Sequence, residues 1–76
     1  MEELFSTQLK IDSNSIDYRI VFKNEKYIFN SESDNTKFLS FSFRREHNEW
    51  IDETALPAEL KTLAIDALEN YLLQQH

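Results

Sequence analysis

The chain contains no glycine. Backbone with φ > 0 must therefore be taken by residues that carry a Cβ, and Asn and Asp tolerate it best. Asn14, Asn24, Asn35 and Asn48 each fall between apolar segments, and these are the positions expected to turn the chain. The same absence removes the usual phosphate loop and dinucleotide fingerprint, where backbone amides approach the phosphate with no side chain in the way.

Between the turns the sequence alternates with a period of two, the mark of half-buried strands. Over residues 4–11, Phe5, Leu9 and Ile11 share one side. Over 16–23, Ile16, Tyr18, Ile20 and Phe22 face one way, and Asp17, Arg19, Val21 and Lys23 the other. A four-residue turn Asp12-Ser13-Asn14-Ser15 would set Leu9 against Tyr18 and Phe5 against Phe22, inward residue on inward residue. Asn24-Glu25 as a two-residue turn sets Phe22 against Tyr27 and Ile20 against Phe29 in a strand over 26–30. A polar loop, residues 31–37, leads to a strand over 38–45 with Leu39, Phe41 and Phe43 inward. The turn Glu46-His47-Asn48-Glu49 then closes Arg45 on Trp50 in a short strand over 50–52.

From Pro57 to about residue 75 nothing breaks a helix. Proline suits the first helical turn, and Glu59 is an acid where the helix dipole favours one. Leu60, Leu63, Ala64, Ala67, Leu68, Tyr71 and Leu72 form one apolar stripe. An apolar sheet face and an apolar helix stripe bury each other. The expected fold is α+β: an antiparallel meander of four to five strands with one long C-terminal helix on one face. At 76 residues the chain is a single domain, 1–76, and nearly every large apolar residue is needed for the core.

Chemistry has little to work with. The absence of cysteine excludes a disulfide framework, a thiolate metal site and a cysteine nucleophile, and fits a reducing compartment. The acidic start Met1-Glu2-Glu3-Leu4-Phe5 does not read as a secretory signal, and no run approaches the roughly 18 apolar residues of a membrane span. A cytoplasmic location is expected. His47 sits in an exposed turn beside Glu46 and Glu49, one histidine where a metal site needs three or four converging ligands. His76 is terminal, so no base stands ready to activate a serine. Ser31-Glu32-Ser33-Asp34-Asn35-Thr36 lacks the frame of a calcium loop. No catalytic, cofactor or metal residue is assigned.

Charge is distributed unevenly. The net charge is −6, yet residues 10–45 carry seven bases against five acids, and residues 46–76 one base against seven. Lys10, Arg19, Lys23, Lys26 and Arg44 belong to the outward sheet face, with Ser40 and Ser42 among them. Such a face suits nucleic acid or an acidic partner. A single-stranded nucleic-acid platform also needs exposed aromatics, and the strand aromatics fall mostly in the inward register, with Phe38 the main exception. On the helix, Ile65 and Leu73 lie off the main stripe and with Leu72 make a small apolar patch for a protein partner or a second copy.

Four strands and a long helix, with Trp50-Ile51 ahead of Leu56-Pro57-Ala58-Glu59-Leu60, resemble small uncharacterised bacterial proteins of this β-meander-plus-helix layout. The order of elements is also similar to that of a family of dimeric single-stranded DNA-binding coactivators. That resemblance implies a dimer with a basic binding face, and it assigns no residue here. The expected function is a small non-enzymatic protein-interaction module without a cofactor. The alternative is a weak single-stranded nucleic-acid binder using the basic outer face.

Overall fold

The computed structural model describes residues 2–11, 13–31, 40–53 and 56–75. Five strands, β1 (Glu2–Ile11), β2 (Asn14–Lys23), β3 (Lys26–Ser31), β4 (Phe41–Glu46) and β5 (Glu49–Asp52), precede one helix, α1 (Ala58–Gln74). The strands form one antiparallel sheet in the order β1-β2-β3-β4-β5, and α1 covers one face. The fold is the α+β meander with a C-terminal helix that the alternation predicts. Asn35, Phe38, Leu39 and most of the polar loop lie outside the described residues.

The turns do the work of glycine without glycine. Asn24 and Glu25 have φ of 54° and 62°, and His47 and Asn48 have φ of 52° and 66°. Two consecutive left-handed residues make the two-residue turn whose twist matches the strands it joins. Asn24 and Asn48 behave as the sequence predicts. Asn14 does not: it opens β2, and Ser13 takes φ of 68° instead.

That difference reflects a tighter first hairpin. Ile11 pairs with Asn14, Leu9 with Ile16, Thr7 with Tyr18 and Phe5 with Ile20, so the expected pairs Leu9 with Tyr18 and Phe5 with Phe22 are displaced by two residues. A two-residue displacement keeps every side chain on its face, so alternation alone does not distinguish the two loops. The second hairpin has the predicted register, Phe22 on Tyr27 and Ile20 on Phe29. The third also closes Arg45 on Trp50, and pairing continues to Glu46 and Glu49.

A bulge between Glu3 and Phe5 further separates β1 from the simple pattern. The extra residue, Leu4, packs half-buried on the core, and Glu3 is carried to the outer face opposite Val21. Without the bulge Glu3 would share the inward side with Phe5 and Leu9.

The core is largely aromatic. Tyr18, Phe29, Phe41 and Phe43 contact one another, with Phe29 stacked on Phe41 at 4.8 Å and edge-on to Tyr18 and Phe43 at 6.0 and 5.9 Å. Leu60, Ala64 and Leu68 bring the helix down on it. Ala64 is fully buried, a small residue where helix and sheet approach closely. The Tyr18 hydroxyl is buried with no hydrogen-bond partner among the described residues, and burial raises its pKa.

Pro57 stands one position ahead of the helix rather than in its first turn. Its φ of −57° and ψ of 142° are those of an N-cap residue, and its carbonyl accepts the Lys61 N–H at 3.0 Å. The helix is fastened at both ends. Lys61 reaches Asp52 at 3.2 Å, and Tyr71 stacks on Phe5 at 4.6 Å.

The Lys61 hydrogen bond holds the Asp52 carboxyl below its ordinary pKa. A depressed folded-state pKa stabilises the fold above the unfolded carboxylate pKa, and that contribution disappears as pH falls through the folded value. Lys61→Met is therefore expected to move the acid-unfolding midpoint to higher pH, measured by circular dichroism across an acid titration.

Candidate functional site

Two surfaces were marked by the sequence, and they lie on opposite sides of the molecule. The outer sheet face carries Lys10, Arg19, Lys23, Lys26 and Arg44. The structure neutralises much of that charge in place. Arg19 lies 3.6 Å from Glu3, Lys26 3.2 Å from Glu53 and Arg44 2.6 Å from Glu46. Asp17, two residues before Arg19 on the same face of β2, accepts a hydrogen bond from Gln8 at 3.1 Å. Lys10 sits across from Ser15 at the far end of the sheet, away from Lys23 and Lys26, which face each other beside the Asn24-Glu25 turn. The five cations are brought to one face but not to one site.

That face also carries no stacking platform among the described residues. Phe5, Tyr18, Phe22, Tyr27, Phe29, Phe41, Phe43, Trp50 and Tyr71 each engage another ring, in pairs among the inward residues of the sheet and, between Phe5 and Tyr71, from sheet to helix. Apolar residues hold the centre of the outer face instead. Val21 is buried there, with Ile28 directly across from it and Ser42 next to Ile28.

The second surface is the flank of α1 nearest β4 and β5. Glu69, Leu72 and Leu73 stand four, seven and eight residues after Ile65, so the four share that flank. Ile65 and Leu72 are half-buried. Leu73 is 72% exposed, the one exposed large hydrophobic residue among those described. Leu72, Leu73, Glu69 and Arg45 line an open groove of about 410 Å³.

Trp50 forms part of the groove's support. Its indole N–H donates to Glu69 at 3.2 Å, and the Arg45 guanidinium lies over its ring at 4.7 Å. The inner side of the same indole meets Tyr27 and Phe43. A rigid aromatic thus fixes one acid and one base beside two leucines. Phe43, fully buried, and half-buried Tyr27 pack beneath it.

The predicted patch Ile65, Leu72 and Leu73 is brought together. Arg45, Trp50 and Glu69 complete it and were not singled out by the sequence. Their signal was present: Glu69 is four residues from both Ile65 and Leu73, and Arg45 continues the inward series Phe41, Phe43 and closes on Trp50.

No group of three or more metal-ligating side chains converges among the described residues, and no described helix is long and apolar enough to cross a membrane. Comparison with family models, curated proteins and solved structures finds no match to this chain.

Proposed function

We propose that this chain is a small cytoplasmic protein-interaction module that binds a partner along the α1 flank, rather than an enzyme. One observation carries this reading. The groove beside Leu73 joins exposed apolar surface to a fixed acid–base pair, Glu69 and Arg45, held by Trp50. Interfaces draw on such features, an apolar anchor rimmed by oriented polar groups.

The occupant that fits is a short segment of another protein, with an apolar side chain for the leucines and a charge for the rim. A second copy fits less well. Residues 46–76, which include all of α1, carry net charge −6, so bringing two copies together along α1 works against like charge. The single-stranded nucleic-acid reading has less support, because ion pairs and buried rings engage the groups it needs.

The test compares capture of binding proteins, from a lysate of the cells that make this chain, by three forms of it. Wild type and Lys10→Ser are expected to retain the same protein, and Leu73→Ser to lose it. Leu73→Ser is also expected to leave stability within about 0.5 kcal/mol of wild type, as for an exposed side chain without a packing role. Capture unaffected by Leu73→Ser would overturn the reading. So would self-association in light scattering that Leu73→Ser abolishes, since it puts a second copy on the flank.

A further inference from the structure

Lys23 and Lys26 stand directly opposite each other across β2 and β3. Like charges at such a position are destabilising. The register places Arg44 on the next strand beside Lys26, one step beyond the pair Tyr27 and Phe43. Three cations thus span adjacent strands spaced about 4.8 Å apart. Glu53 and Glu46 answer two of them, and no ion pair answers Lys23 among the described residues.

These lysines border a second open groove, of about 350 Å³, on the outer sheet face. Lys23, Asn24, Lys26, Ser40 and Ser42 line it, with Ile28 alongside. Among the described residues every polar side chain in that lining can donate a hydrogen bond and none is an acid, Glu53 reaching Lys26 from outside the lining. Two ammonium groups, an amide and two hydroxyls exceed what the two oxygens of a carboxylate can use. They suit the three terminal oxygens and double charge of a phosphate monoester.

We infer that this groove binds a phosphate monoester, through Lys23 and Lys26 with Asn24 and Ser42 as neutral donors. The inference is independent of the partner on the α1 flank, which lies on the other side of the sheet. A nucleic-acid strand is the poorer occupant. It would need cations continuing along a track, and Arg19 is paired with Glu3 while Lys10 is remote. It would also need rings to stack on, and the described rings are engaged with one another. The ligand's source is either a free phosphate ester or a phosphorylated side chain of a partner, and the two share this chemistry.

The experiment is an amide-shift titration of ¹⁵N-labelled protein with inorganic phosphate, against sodium chloride at equal ionic strength. Phosphate is expected to give saturable shifts at Lys23, Asn24, Lys26 and Ser42 that chloride does not. Lys23→Gln is expected to weaken binding by about threefold or more, the scale of one exposed ionic contact. That variant is also expected to melt no lower than wild type, because it relieves the Lys23–Lys26 repulsion. A phosphoserine peptide that outcompetes its serine counterpart and free phosphate assigns the source to a partner; a phosphoserine peptide no better than free phosphate assigns it to a small ester. Three results would each overturn the inference: shifts reproduced by chloride, affinity unchanged in Lys23→Gln, or an oligonucleotide that binds more tightly and extends the shifts through Arg19 to Lys10.

Discussion

Phe29→Ala is expected to lower the melting midpoint by about 15 °C or more and to leave little cooperative folding at 37 °C. Phe29 is fully buried at the centre of the sheet and contacts Tyr18, Phe41 and Phe43 by ring. Removing a buried phenyl group costs about 3–5 kcal/mol, from lost transfer energy and the cavity left behind. A domain of this size has a total stability of only about 4–11 kcal/mol. Each kilocalorie moves the midpoint of such a domain by about 4–8 °C. Phe22→Ala provides the comparison. Phe22 is half-buried with one ring partner among the described residues, Tyr27 at 4.9 Å, and its loss is expected to cost about 1–2 kcal/mol. Thermal melts followed by circular dichroism rank the two. Equal effects would mean that the aromatic cluster is not the centre of the core.

The opposite sign is expected at the turns. Glu25 and His47 hold left-handed backbone, with φ of 62° and 52°. For a residue with a Cβ that conformation costs about 1–2 kcal/mol, and glycine escapes it. Glycine also loses more entropy on folding, about 0.5–1 kcal/mol, which offsets part of the gain. Glu25→Gly and His47→Gly together are expected to stabilise the fold by about 1–2 kcal/mol and raise the midpoint by about 5–10 °C. Asn14→Gly, in β2 rather than the turn, is expected to destabilise. The contrast separates the two-residue first turn from the four-residue one, because only the longer turn would place Asn14 in the loop. A lower midpoint for Glu25→Gly would mean that this turn is not left-handed.

Most of the architecture was legible because the strands alternate strictly and the helix has no breaker. Inward faces, meander order and the second hairpin all follow from periodicity and the Asn24 signal. The first hairpin's register was not, since displacing a strand by two residues leaves its faces unchanged. Glu25 and His47 were legible as turn residues, but their left-handed backbone was not: the expectation fell on the asparagines beside them, and the conformation is imposed by strands that must pair on both sides.

The charge balance of the outer face was legible only in part. Arg44 and Glu46 are two apart on one strand, so period two already puts them together. Glu3 reaches Arg19 only because the bulge at Leu4 moves it to the other face, and no residue type there announces a bulge. Glu53 lies beyond the end of β5, where no periodicity reaches. On the helix, the exposure of Leu73 follows from spacing alone. The indole that joins Glu69 to Arg45 required knowing how α1 crosses the sheet.

An amide-shift map of the labelled protein with its captured partner tests the central claim most directly. The predicted footprint is Ile65, Glu69, Leu72 and Leu73 together with the Trp50 indole resonance. A footprint confined to Lys10, Arg19, Lys23 and Arg44, with the helix flank unmoved, would contradict it.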